Sequence, residues 1–183
     1  MSFEPLISQL SERLRVFEVK NEVLSSALKD VTDEMKTRIF IFAKDAQNGI
    51  IGTSYSKKPY YFAKDDFYIT GRFRPQGKNS KRPFANGKVR KTMYLAGGYS
   101  EFRQIQGFRT DRVDLLLKGD LYRSLKSKMQ GERGLIGIDT KKEAQKSTGL
   151  ETKYRKSVFY VSQRERNLLD RALLYHINRL LDV

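Results

Sequence analysis

Eight basic residues, Arg72, Arg74, Lys78, Lys81, Arg82, Lys88, Arg90 and Lys91, crowd a stretch of the chain that contains no aspartate or glutamate. A field of one sign is explained more readily by a polyanion, or by an acidic partner surface, than by the needs of folding. Phe73 and Phe84 interleave with these cations, and Tyr60, Tyr61 and Tyr68 lie just before them. Aromatic and basic residues together stack on bases, and they also suit protein grooves. No helix-turn-helix, zinc-finger or RNA-binding signature accompanies them. The expectation is contact with phosphates or with an acidic protein, without base readout. The competing reading is a solvated loop.

Other chemistry is harder to assemble. His176 is the only histidine and falls inside an apolar-periodic stretch beside Tyr175 and Ile177, which reads as a surface or half-buried helix residue. The acids Asp65, Asp66, Glu101, Asp111, Asp114, Asp120 and Asp139 show no spacing of the kind a two-metal nuclease needs. Gly131 to Gly137 resembles a nucleotide-binding glycine pattern loosely, but lacks the strand-then-helix context and the Lys-Ser/Thr pair, so a hairpin turn at Gly131 to Gly134 is expected. There are no cysteines, which removes disulfides and thiolate ligation. No catalytic residue, metal site or cofactor is expected.

These residues sit in a chain of 183, enough for one ordinary core. Lys and Arg number 36 against 21 Asp and Glu, a formal net charge of +15. Unneutralised, that charge repels itself, so nucleic acid, an acidic protein ring or anionic lipid would have to supply the missing sign. The opening residues carry no signal peptide pattern, and no apolar run approaches the roughly 20 residues of a membrane span. The expectation is a soluble protein made in the cytoplasm.

Leu6, Leu10, Leu14, Phe17, Leu24, Leu28, Val31, Met35 and Ile39 recur mostly at steps of three, four or seven. This predicts a long amphipathic helix from Pro5 to about Phe42, with a break allowed near Asn21. Its stripe exceeds what a small domain covers alone, which points to several packing elements or to neighbouring subunits. Asn48-Gly49 marks a turn. Lys57 to Phe62 and Thr92 to Leu95 read as two strands of a hairpin, bridged by the basic excursion as an outsized loop. A short helix is expected over Gly98 to Ile105, a helical turn over Lys118 to Leu125, a strand over Gly134 to Ile138, and a polar helix over Lys142 to Ser147 ended by Gly149. Ser162 and Glu165 form a capping box ahead of a last helix bearing Leu168, Leu169, Ala172 and Leu173. The class is α+β: a small antiparallel sheet against a long N-terminal helix, a C-terminal helix and short ones. A single domain spans 1–183, with the basic insertion at about 70–91. Leu24, Leu28, Val31 and Met35 should pack on the sheet and on Leu168, Leu169, Ala172 and Leu173.

One line of residues has a familiar cadence. Gly98-Tyr99, Phe102-Arg103, Gly107, Thr110, Val113-Asp114-Leu115, Gly119, Leu121 and Ser124 follow one another at fixed spacing. The line continues through Gly137-Ile138-Asp139 to Val158 and the last helix. It resembles the tail-completion and head–tail joining (neck ring) proteins of tailed bacteriophages, although Lys118-Gly119 stands where those proteins have Thr-Gly. The resemblance implies a non-enzymatic structural subunit of the virion neck. Such a subunit forms a homo-oligomeric ring, commonly twelvefold or sixfold, that joins portal, adaptor or tail-tube proteins around the DNA channel. It implies no membrane and no cofactor. The basic segment would then face packaged DNA or acidic neighbours. The alternative is a free, non-sequence-specific nucleic-acid-binding protein.

Overall fold

The structure is a computed structural model that describes residues 4–67, 69–74, 81–83, 87–116 and 118–181; for residues 4–18, 70, 81, 82 and 181 it describes the backbone only. The chain forms two compact units, residues 1–49 with 120–183, and residues 50–119. Helix and antiparallel strand are mixed in the α+β manner expected.

The first unit is built on α1, Glu4–Lys36. The helix runs through Asn21 without a break. A π turn, Thr37–Ile41, follows it, with the Phe42 amide donating to the Thr37 carbonyl. This wider turn brings three consecutive residues, Arg38, Ile39 and Phe40, into the interior. Val23, Ala27, Leu28, Val31 and Met35 are buried and Leu24 is half-buried. They pack against two partners, α5 (Gln163–Leu181) and the hairpin of β4 (Leu125–Gln130) and β5 (Arg133–Ile138). The hairpin register pairs Leu125 with Ile138, Ser127 with Ile136 and Met129 with Gly134. Gly131 makes its turn at φ +60°, and a Cβ on Gly134 would collide with Leu28, so both glycines are there for geometry. On α5, Ala172 is buried and Leu168, Leu169 and Leu173 are half-buried.

Two short helices complete this unit. Helix α3 (Asp120–Ser124) runs directly into β4. Helix α4 spans Lys141–Tyr154, longer than its composition implied. It passes through Gly149, where a side chain would meet open space, and stops at Arg155, whose φ of 52° is left-handed. Glu151 explains the extension, because its carboxylate accepts the Val158 and Phe159 amides and so ties the helix end to the next segment.

Unit two carries β1 (Tyr60–Ala63), β2 (Lys81–Pro83), β3 (Val89–Leu95) and α2 (Gly98–Ile105). The expected return strand is real: Tyr60 pairs with Leu95 and Ala63 with Thr92. The excursion between them is not loop throughout. Part of it forms β2, which pairs with the first half of β3 from Lys81–Lys91 to Pro83–Val89. Phe62, Phe67, Phe73, Met93, Leu95 and Phe102 form the core. Phe62 and Phe102 stack at 4.4 Å, and Phe67 meets both Phe73 and Phe102 edge-on.

The first unit is locked by Arg38. Its Nε donates to Glu165 Oε1 at 2.7 Å and Nη2 to Glu165 Oε2 at 3.3 Å. The remaining donors reach the carbonyls of Lys44, Val158 and Tyr160. Glu165 also closes the capping box, accepting the Ser162 amide at 2.6 Å while its own amide reaches Ser162 Oγ at 3.3 Å. Breaking a buried pair from one side strands the other charge, at a cost of about 3–5 kcal/mol. Glu165→Ala should therefore lower unfolding stability by about that amount in urea titration, and the exposed neighbour Arg166→Ala should leave it nearly unchanged.

Candidate functional site

The structure splits the eight basic residues by role. Arg72 ends a 3₁₀ turn, Thr70–Arg72, and its guanidinium donates to the Ile105 carbonyl. Arg74 is exposed, with Nη1 on the Gly71 carbonyl at 2.8 Å and its amide on Met93 Sδ at 3.3 Å. Lys78 lies outside the described residues. Lys81 and Arg82 are on β2, while Arg90 and Lys91 are on β3; Lys88 is exposed just after Gly87, which turns at φ +73°.

The register makes this arrangement unusual. Lys81 stands opposite Lys91 and Arg82 opposite Arg90. Like charges directly opposite on antiparallel strands destabilise the pair, and here two successive rungs are cation against cation. Arg90 is eased by Asp65 Oδ2 at 3.6 Å, an acid from outside the basic stretch. Nothing in the local sequence pointed to that partner, because Asp65 reaches Arg90 only through the pairing of β1 with β3.

The aromatic companions need one correction. Phe73 is a core residue of the second unit, so it cannot stack on a partner. Phe84 and Tyr68 lie outside the described residues. Tyr60 is exposed and meets Phe62 edge-on at 5.0 Å, while Tyr61 and Tyr94 face each other across β1 and β3 at 4.9 Å. Tyr94 is exposed and two residues from Lys91's neighbour Thr92 on the same strand. Strand alternation over Val89–Leu95, with Met93 and Leu95 inward, was the signal that would have found it.

The carboxylates that invited a nuclease reading are engaged one by one. Asp66 accepts the Ala63 amide, Glu101 the Gly97 amide, Asp111 pairs with Arg109, Asp120 with Arg123 and Asp139 with Lys126. Among the described residues no group of three or more His, Asp or Glu converges to hold a metal ion. His176 sits half-buried on α5, its Nε2 2.9 Å from Asp30 Oδ2. A shallow cleft of about 280 Å³ is lined by residues including Gln47, Tyr160, Gln163 and Arg166, with no histidine or carboxylate.

The fixed-spacing line of residues turns out to hold the second unit together. Gly98 is at φ +61°, and a Cβ there would run into the Lys58 carbonyl. Arg103, 1% exposed, donates from Nη2 to Asp114 Oδ1 at 2.8 Å, from Nε to the Arg109 carbonyl and from Nη1 to the Leu116 carbonyl. Its guanidinium lies 4.2 Å from the centre of the Tyr55 ring. The Tyr55 hydroxyl donates to Asp114 Oδ1 at 2.9 Å and accepts the Asp114 amide at 3.1 Å. Gly107 and Leu115 take positive φ of 79° and 55° to turn the chain around this pair.

No protein-family model matches the chain, and no curated protein or solved structure is similar enough to count as a match.

Burial pushes the Tyr55 phenol well above the usual tyrosine range, and the neighbouring Asp114 charge adds to the shift while Arg103 opposes it. The unfolded chain releases this proton near pH 10, whereas the folded chain holds it. Its contribution to stability is thus complete below about pH 10 and is lost as the pH rises further. In an ultraviolet titration Tyr55 should ionise well above the usual tyrosine range, only as the unit opens, and Tyr55→Phe should abolish that late step.

Proposed function

We propose that the chain is a non-enzymatic structural subunit of the neck of a tailed-phage virion, assembling as a homo-oligomeric ring that joins portal and tail around the DNA channel. The observation that carries the reading is the pair of opposed cationic rungs, Lys81–Lys91 and Arg82–Arg90. A register that sets cation opposite cation twice in succession favours a negative partner surface. Acidic portal or tail subunits provide one, and packaged DNA provides another. The resemblance of Gly98–Ser124 to neck proteins selects the neck among assemblies that offer both. Copy number also helps: a modest basic patch repeated around a ring binds with high avidity without strong contacts per subunit.

The opposed cations, with the Tyr61–Tyr94 ring pair elsewhere on the same sheet, equally favour a second reading, a free protein that coats nucleic acid without sequence preference. One comparison separates the two. Mixed with a portal ring, the neck subunit should add a ring of density in electron micrographs and bind duplex DNA weakly at physiological salt. Tight, length-dependent DNA binding by the monomer, with no portal association, would establish the second reading instead. In either case Lys88→Ala with Lys91→Ala should weaken the interaction. Where the partner is DNA, the slope of log affinity against log salt should fall by about 2, one per lost phosphate contact.

A further inference from the structure

We propose that the outer face of α4 is a contact surface for the phosphate backbone of duplex DNA, with one sugar–phosphate strand seated across the helix at Gly149. Helix α4 belongs to the first unit and the β2–β3 cations to the second, so this surface is separate from the one that carries the neck assignment.

Charge on this helix is divided by face. Its exposed residues include four lysines, Lys141, Lys142, Lys146 and Lys153, and no acid. Both acids of the helix are engaged within the chain. Glu143 is buried and accepts Lys146 Nζ at 2.6 Å, and Glu151 accepts the Val158 and Phe159 amides. Lys146 uses one of its three N–H donors there, and its side chain stays 47% exposed, so it still has donors to offer.

A glycine interrupts the lysines. Lys142, Lys146, Gly149 and Lys153 follow one another at steps of four, three and four, which puts them in one row along the helix. Glycine inside a helix is less stable than alanine. Folding places no demand for it here, since a Cβ on Gly149 would meet nothing within 4 Å and its φ is not positive. What the missing side chain gives is access, because a partner's backbone can come against the helix between long neighbours. At about 1.5 Å per residue, Lys146 stands roughly 4.5 Å to one side of the gap and Lys153 roughly 6 Å to the other. A phosphodiester strand in the gap therefore meets an ammonium group on each side.

The absence of apolar groups on this face selects the occupant. Ala144, Leu150 and Tyr154 are half-buried, and no aromatic or aliphatic residue of the helix is exposed. Protein interfaces centre on apolar anchors and are depleted in lysine. An interfacial helix holds a membrane through an inserted apolar face, and single strands are held by stacking on aromatic rings. A duplex backbone needs cations and small polar groups alone, which is what this face offers.

Full-length protein titrated with a short DNA duplex over a salt series provides the test. Lys142→Ala with Lys153→Ala should weaken binding and lower the slope of log affinity against log salt by about 2, one per lost phosphate contact. Arg164→Ala with Arg171→Ala removes the same charge from exposed positions of α5 and should leave the slope unchanged. Gly149→Gln should raise the thermal midpoint, because glutamine is the better helix former, and yet weaken duplex binding by filling the gap. The lysine pair should matter less for a single strand of equal length, or for vesicles of anionic phospholipid, than for the duplex. An unchanged slope in the lysine variant, an equal loss in the α5 variant, full duplex binding by Gly149→Gln, or a greater loss on single strands or vesicles would overturn the proposal. Portal association by the lysine variant reads the neck assignment separately: its presence or absence leaves the duplex slopes as they are.

Discussion

The first unit depends on satisfying one buried guanidinium. Arg38 uses all its donor directions, two on the Glu165 carboxylate and the others on three carbonyls. Those acceptors come from four places: the exit of the π turn, the segment after α4, the approach to α5, and the first turn of α5 itself. A guanidinium is planar, always charged and presents its donors in a rigid fork. It can therefore hold four chain segments only if each is correctly placed. The same requirement sets Arg38 beside Ile39 and Phe40 in the interior of the π turn. It also gives Glu165 two duties that reinforce each other. Its cap fixes the start of α5, and the fixed start aims the carboxylate at Arg38. The second unit solves the same problem with different parts: Arg103, Asp114 and the Tyr55 hydroxyl enclose a single charge pair.

Electrostatics in this chain are sorted by depth. Each deeply buried arginine has a buried carboxylate, as desolvation requires. Near the surface many of the acids are spent on local lysines, arginines and amide caps, leaving the surplus of 36 bases over 21 acids to accumulate elsewhere. Four of those bases lie on β2 and β3, where the register sets cation opposite cation. Repulsion across two rungs is a small fraction of the stability that the aromatic core supplies, since such pairs are each worth roughly 0.2–1 kcal/mol. The unit can hold the rungs together.

Much of the scaffold was legible because it rests on local patterns. The stripe from Leu24 to Met35, the Ser162–Glu165 box, the turn at Asn48-Gly49 and the pairing of Tyr60–Ala63 with Thr92–Leu95 each follow from periodicity or from residue chemistry within a few positions. What was not legible depends on distant partners. Gly149 looked like a helix end because Glu151, which ties down the following segment, acts through amides seven and eight residues on. Phe73 looked like a stacking aromatic because its cations are adjacent in sequence, whereas its ring belongs to a core assembled from β1, β3 and α2. Strand β2 was hidden in the basic excursion because a run of Lys-Arg-Pro has poor strand character and forms only by pairing with β3.

The line of residues from Gly98 to Ser124 has a consequence for where function can lie. Gly98, Gly107 and Leu115 set positive φ, Arg103 and Asp114 form the buried pair, and in the other unit Ser124 closes the turn of α3 on the Leu121 carbonyl. Each of these six residues serves folding. Positions of this kind define a scaffold, and a scaffold by itself fixes no activity. The segment between β1 and β3 is tied to the core at Phe67 and Phe73, while the two strands pair directly whatever length of chain separates them. A long insertion at that point adds little closure entropy, which grows only with the logarithm of loop length. Six of the eight basic residues fall in that segment, and Arg90 and Lys91 lie on β3 itself. Neither of the two buried ion pairs, Arg38–Glu165 and Arg103–Asp114, has a member on β2 or β3.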